Sequence, residues 1–249
     1  MKRLILVCAI LLLPLAAFSE VTKREKEACF LSPSYACVIT QALAIAKTIE
    51  DADDRAEALA DIATAQAKAG DVKEAKETFV QAFASAKTIE DADIRAEALT
   101  GIATAQAKAG DVKEALATAK TIERADIRAT ALTDIAKAQA KAGDVKEAKE
   151  TFVQAFATAK TIEDADDRAE ALTDIATAQA KAGDIKEAFA TAKTIEDADI
   201  RAEALADIAT AQAKAGDVKA ALATAKTIEN VYWRASALTD IAEILFQIK

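Results

Sequence analysis

Ala69-Gly70-Asp71-Val72-Lys73-Glu74-Ala75 is the stretch whose reading decides the fold. It returns, nearly letter for letter, at Gly110, Gly143, Gly183 and Gly216, at separations of 40, 33, 40 and 33 residues. Self-similarity at that period marks a stacked array of supersecondary units. The heptapeptide itself reads as a helix stop followed at once by a helix start. Gly70 closes an alanine-rich run in the left-handed conformation that glycine adopts without a Cβ penalty. Asp71 is placed to accept from the free amides of the next helix, and Glu74 to reach back and complete a capping box. The same spacing occurs at Asp111/Glu114, Asp144/Glu147 and Asp184/Glu187. It lapses at Asp217, where Ala220 replaces the glutamate, which predicts a slightly softer last hairpin.

Working outward, everything from Ala36 onward reads as helix and short turn. The first helix of each unit is expected from about Asp53 to Ala69, with Ala56, Leu59, Ile62, Ala63 and Gln66 on one face. The second is expected from Val72 to about Ile89, with Val72, Ala75, Phe79, Ala82, Phe83, Ala86 and Ile89 on its stripe. Its short form, Val112 to Ile122, keeps Val112, Ala115, Leu116, Ala119 and Ile122. The two forms differ by seven residues, two helical turns within ~20° of drift. The alternation is therefore one fold with two helix lengths.

The turns between units carry Thr-Ile-Glu and then acidic residues, most fully in Glu50-Asp51-Ala52-Asp53-Asp54. The aspartate two residues before each recurring arginine (Asp53, Asp93, Asp126, Asp166, Asp199) is expected to cap the next first helix. These turns lack the alternating ligands and glycine of a calcium loop, so no metal site is expected. The arginines at 55, 95, 128, 168, 201 and 234 stand at helix starts, where the macrodipole disfavours a cation. We expect each to tie the acidic turn of its own or the adjacent unit. The inward glutamines 66, 106, 139, 179 and 212 need partners if buried, across units or on turn backbone.

Residues 1–19 read as a secretory signal: Lys2 and Arg3, an apolar run from Leu4 to Leu15, then Ala17-Phe18-Ser19. Lipidation at Cys8 fits less well, because Val7 is bulky and the apolar run continues beyond it. Removing Lys2 and Arg3 takes the formal net charge from −9 to −11. An acidic chain of this kind is expected to bind neither nucleic acid nor an anionic membrane surface, and no membrane insertion is expected after signal cleavage. In a periplasmic or secreted protein, Cys29 and Cys37, flanking the turn Ser32-Pro33-Ser34, are a candidate disulfide at the N-terminal end of the array. Residues 20–49 then form a helical cap, 50–230 the repeat array and 231–249 a terminal helix. In that helix Leu238, Ile241, Ala242, Leu245 and Ile248 make the stripe expected to pack on the preceding unit. Trp233, Ile244 and Phe246 flank it as a candidate end interface, through which a homodimer could form.

These residues resemble the tetratricopeptide repeat. Counting from Gly70, that family has small residues at the places of Ala63, Ala75 and Ala82, a large apolar one at Ile62 and an aromatic at Phe79, and all five match. The chain departs from the pattern at Gln66, where the family favours an aromatic, at the closing proline, and at Ala119, which stands in the Phe79 place of a short unit. HEAT-type repeats are the alternative, since Asp91-Ala92-Asp93-Ile94-Arg95 resembles their aspartate-to-arginine turn. Either resemblance implies an all-α, right-handed solenoid of stacked hairpins. The tetratricopeptide geometry further implies a groove lined by the first helices, carrying Glu57, Ala60, Thr64, Ala67, Lys68, Thr104, Lys108, Lys141, Thr177, Lys181, Thr210 and Lys214.

The chain contains no histidine and an aromatic content of 4%. Catalytic sites are usually built from one irregular constellation in a pocket, and a near-perfect repeat offers none. No enzyme activity and no cofactor are expected. Two functions remain: an interaction scaffold that binds a protein or peptide in the groove, and a structural, self-assembling cell-envelope protein.

Overall fold

The computed structural model describes residues 33–247. The signal reading of residues 1–19, Cys29 of the candidate disulfide, and Ile248 of the terminal stripe lie outside them. The chain divides between Thr48 and Ile49 into two compact units. The first contains α1 (Tyr35–Ala46), whose N-cap Ser34 accepts from the Cys37 amide at 3.3 Å.

The second unit alternates first and second helices: α2 (Ala52–Ala69), α3 (Val72–Ala86), α4 (Ala92–Lys108), α5 (Val112–Lys120), α6 (Ala125–Ala142) and α7 (Val145–Ala159). It continues with α8 (Ala165–Lys181), α9 (Ile185–Ala192), α10 (Ala198–Lys214), α11 (Val218–Thr227) and α12 (Val231–Gln247). No strand occurs among the described residues. The first helices α2, α4, α6, α8, α10 and α12 pack each on the next as a continuous layer. Each second helix seats between its own first helix and the following one. The result is an all-α solenoid of stacked helical hairpins.

Each hairpin is set by its glycine. Gly70 has φ 92°, and the other four heptapeptide glycines are also left-handed. The Asp71 amide donates to the Gln66 carbonyl at 2.9 Å, and that of Gly70 to Ala67 at 3.1 Å. This is the double bond of a Schellman close, which turns the chain back on itself. The core between the layers is mostly alanine, punctuated by Leu59, Phe79, Ile102, Ile135, Phe152 and Ile175. The second helices end in Ile89, Ile122, Ile162, Ile195 and Ile228, every one buried. The seven-residue difference therefore returns the stripe to the core in both helix lengths. Val72 is the exception on the expected stripe and is exposed. It stands in the first turn, beyond the reach of the facing helix. The second helices also stop one to three residues before the isoleucine, which enters the core from the connecting turn.

The caps differ from expectation in two ways. The first helices are capped by Asp51, Asp91, Asp164 and Asp197, four residues before the arginine rather than two. Each accepts from two amides, as Asp51 does from Asp53 at 2.8 Å and Asp54 at 3.1 Å. Asp53 and its counterparts are already inside the helix. At the second helices no capping box forms: Asp71, Asp111, Asp144 and Asp184 make no side-chain cap bond. The motif works with a neutral Ser or Thr at the N-cap, whereas here both partners are carboxylates and repel. The Asp111 and Asp184 carboxylates turn instead to Lys76 and Lys149 of the preceding long helix, at 3.1 and 3.0 Å. Asp217, lacking a glutamate opposite, is the one that caps, accepting from Ala220 at 3.0 Å. The softer last hairpin expected from that lapse has no basis.

The recurring arginines tie the preceding turn through its backbone rather than its carboxylates. Nη1 of Arg55, Arg95, Arg128, Arg168 and Arg201 donates to the isoleucine carbonyl six residues earlier, at 2.6–2.8 Å. Carbonyls left open where a helix ends need such donors. Only Arg168 also approaches the next unit's turn, 3.8 Å from Glu196. Three of the five inward glutamines bond within their own hairpin: Gln106, Gln179 and Gln212 accept from Thr118, Thr191 and Thr224 at 2.6–2.8 Å.

In α12 the buried residues are Ala237 and Ile241. Trp233 and Ile244 pack half-buried on the alanine cluster of α10 and α11. Leu238, Ala242 and Leu245, expected inward, are exposed. The stripe is rotated because Ala237 and Ile241 take the places that Ala204 and Ile208 hold in α10, one 33-residue unit earlier.

Candidate functional site: the face of the first helices

The solvent face of α4, α6 and α8 carries two hollows, one turn apart along the helices. The hollow over the N-terminal halves has a volume of about 350 Å³ and is lined by Glu97, Asp126, Asp167, Glu170 and Asp174, with Thr100, Ile127, Thr130 and Ala171. The second, over the C-terminal halves, has about 650 Å³. It is lined by Lys108, Lys137, Lys141 and Lys181, with Asp134, Thr104 and a floor of Ala138, Ala140, Ala178 and Ala182. Acidic first turns and basic last turns complement the helix macrodipoles. That accounts for Asp126, Asp167, Lys108, Lys141 and Lys181. It does not reach Glu170, Asp174 or Lys137, which stand in mid-helix.

Helix length shapes this face. After the long helix α7, α6 and α8 meet over a shorter stretch than α8 and α10 do after the short α9. The first helices are also bridged unevenly. Thr177 donates to Asp207 at 3.0 Å and Thr210 to Asp240 at 3.1 Å, each joining one first helix to the next. The equivalent bridges are missing earlier in the chain. Gly101 stands where an aspartate would face Thr64, and Thr64 turns to its own Ala60 carbonyl at 2.9 Å. Asp134, which would face Thr104, is held 3.0 Å from Lys137 Nζ, and the Thr104 hydroxyl is buried with no partner.

Of the groove residues expected from sequence, the structure brings Thr104, Lys108, Lys141 and Lys181 into the lysine hollow. Glu57, Thr64 and Lys68 lie on α2, outside both hollows, with Glu57 and Lys68 exposed. Ala60 is buried and Ala67 half-buried. Thr177 and Thr210 are occupied in the bridges to Asp207 and Asp240, and Lys214 ends α10.

Lys137, Asp134 and the acidic hollow were not singled out. The signal for them is departure from the repeat. Lys137 replaces the threonine of the other units before α12, Thr130 their glutamate and Arg124 their N-cap aspartate. All three lie in or just before α6, and each makes it less acidic. Arg124 gives up the cap but pairs with Asp126 and, at 2.7 Å, with Asp93 of α4. Hydrogen bonding from Arg124 holds the Asp126 carboxyl below the usual carboxylate range, against its partial burial. Among the described residues no three His, Cys, Asp or Glu side chains come together as metal ligands. None of the described helices is long and apolar enough to cross a membrane.

No family model and no curated protein matches the chain. Solved structures that the chain is similar to include the following three. Ton1535 from Thermococcus onnurineus NA1 is 17% identical, with 89% of this chain and 90% of that one covered and a TM-score of 0.41. The nearly identical TPR-like repeats of a Podosopora anserina protein assigned as a kinesin light chain are 20% identical, covering 81% and 99%, with a TM-score of 0.39. A single-residue variant of those repeats is 21% identical, covering 72% and 95%, with a TM-score of 0.40. Nothing about this chain's partner follows from them.

Proposed function

We propose that this chain is an exported, non-catalytic scaffold that holds a protein or peptide partner against the face of its first helices. The supporting observation is the pair of hollows of opposite charge spanning α4, α6 and α8. Their combined span suits a chain segment better than a small metabolite, and their charges repeat as rows instead of converging on a reacting atom. Filling the groove tests the reading. Ala138→Trp closes the floor of the lysine hollow, while Val153→Trp alters the exposed face of α7 as a control. A partner captured from the exported fraction by the parent and by Val153→Trp, but lost with Ala138→Trp, supports it. Retention by both variants places the binding surface elsewhere. Export itself is checked by sequencing the mature N-terminus, and a Cys29–Cys37 bridge by mass spectrometry under non-reducing conditions.

A second reading, assembly of an envelope structure through the C-terminal end, is favoured by Phe246. That side chain is 82% exposed on the last helix, beside exposed Leu238 and Leu245. Sedimentation of the mature protein separates the two readings.

A further inference from the structure

We propose that the groove's occupant is a bipolar segment, with a block of acidic side chains over the lysine hollow and a block of basic ones over the acidic hollow. This rests on the groove reading above and names its partner by charge order. The two hollows lie over the same three helices, one turn apart, so a segment long enough to bind one meets the field of the other. Clefts lined by one sign of charge concentrate the opposite sign, and juxtaposed like charges suppress wrong partners. A purely acidic segment is drawn to Lys108, Lys141 and Lys181 but repelled by Glu170 and Asp174. A purely basic one meets the reverse.

The mid-helix charges carry the argument beyond what the helices need for themselves. Lys137 occupies the thirteenth position of the eighteen in α6, ahead of its last turn, where every other unit has threonine or, in α12, glutamate. The change has a local cost. Asp134 is held by Lys137, and the buried Thr104 hydroxyl goes without the acceptor that Thr177 and Thr210 enjoy. A carboxylate from the occupant takes Lys137 in place of Asp134, which then becomes available to Thr104. The alanine floor, with neither arginine nor a nest of backbone amides, favours side-chain carboxylates on an extended or helical segment over a compact polyphosphate.

The test uses the full mature chain and labelled synthetic peptides at low salt: one with a glutamate block followed by a lysine block, one of identical composition with alternating charges, oligoglutamate and oligolysine. The block peptide is expected to bind several-fold more tightly than the other three. Lys137→Thr, which restores the repeat's own residue, should weaken it about three- to fivefold, the scale of one exposed pair. Asp134→Ala, which removes the internal competitor for Lys137, should strengthen it by a similar factor. A purely structural role for Asp134 would not produce that gain. Equal affinity for block and alternating peptides overturns the proposal, as does tighter binding of oligoglutamate or of inorganic pyrophosphate. If no peptide binds while a captured partner still depends on Ala138, bipolarity fails and the groove reading stands. If the block peptide binds Ala138→Trp as well as the parent, the groove reading fails with it.

Discussion

Thr118 donates its hydroxyl to the Gln106 side-chain oxygen at 2.8 Å, from a second helix to the first helix of the same hairpin. In the long units that bond is absent. Thr151 turns to its own Glu147 carbonyl at 3.0 Å, and the Gln139 oxygen is buried with no partner. Thr78 and Gln66 repeat the arrangement, at 2.9 Å for the threonine. A buried acceptor without a donor costs about 1–3 kcal/mol, whereas an apolar side chain of the same length carries no such debt. Gln139→Met is therefore expected to raise the midpoint of urea unfolding, and Gln106→Met to lower it. Two midpoints moving in the same direction would refute the distinction.

Asp217 offers a second contrast, at the start of α11. It is the aspartate of its kind that accepts an amide of its own helix, and Ala220 stands where the others have glutamate. Asp217→Ala should cost about 1 kcal/mol, and Asp71→Ala distinctly less. Glu74→Ala should let Asp71 take up the cap, visible as a downfield shift and slower exchange of the Glu74-position amide. Equal losses for Asp217→Ala and Asp71→Ala would mean that like-charge repulsion is not what opens the other caps.

How much of this was legible in the sequence follows from what kind of interaction each feature is. The hairpins were legible because Gly70 and its counterparts leave only one backbone solution, and that solution recurs with the repeat. The phase of the seven-residue insertion was legible for the same reason, and the buried Ile89 and Ile122 obey it. The caps were misread because Asp51 and Asp53 are chemically identical, and helix entry two residues earlier depends on Arg55 gripping the Ile49 carbonyl. The Asp134–Lys137 pair is not legible in the same way, because Lys137 occurs in one unit and no periodicity marks it. A site made by departures from the pattern is visible only when one unit is set against the others.

The arginine that replaces an N-cap aspartate yields a pH prediction. Arg124 donates to both Asp126 and Asp93, and Asp126 titrates below the usual carboxylate range chiefly through that hydrogen bond. A depressed carboxylate pKa stabilises the fold at pH values above the unfolded-state value. The contribution disappears as pH falls through the folded-state value. Arg124→Gln should raise the Asp126 pKa toward the usual carboxylate range, as read from carboxyl carbon shifts in an NMR titration. The acid limb of the unfolding profile should become shallower. An Asp126 pKa that does not respond would remove Arg124 as the cause.

The two helix lengths allow a direct test of phase. Deleting the seven residues from Phe79 to Ser85 joins Thr78 to Ala86, the same junction that Thr118-Ala119 makes in a short unit. That variant should remain helical and keep Ile89 in the core. Deleting only Phe79 to Phe83 rotates the rest of the stripe by about 140°, since five residues are 1.4 turns at 3.6 residues per turn. Its hairpin should open, and neighbouring units should lose stability with it, as nearest-neighbour coupling requires. Removal of the double unit from Asp71 to Gly143 joins Gly70 to Asp144 and should leave a shorter folded protein. Circular dichroism and urea midpoints report all three. Equal stability of the seven- and five-residue deletions would count against the phase argument.

The last helix separates the two functional readings, and the structure sharpens which side chains to change. Trp233 and Ile244 pack half-buried against Ala202, Ala206, Ala209 and their neighbours, so altering them disturbs the core. Phe246 is free of that constraint, and with Leu238 and Leu245 it occupies the face that α10 turns toward α11 and α12 in the unit before. No further helix follows to cover this face among the described residues. At Leu245 the repeat's glutamine is lost and at Phe246 its small alanine, so the surface no longer suits another second helix of the same design. Replacing Leu245 and Phe246 by glutamate should therefore leave the thermal midpoint nearly unchanged, since exposed substitutions usually fall within about 0.5 kcal/mol. Ile244→Glu should lower it clearly. If the mature protein sediments as a dimer and the double variant as a folded monomer, this end is an assembly surface. If the parent is already a monomer and the double variant sediments identically, assembly through α12 is excluded, and the scaffold reading stands without a rival from this end of the chain.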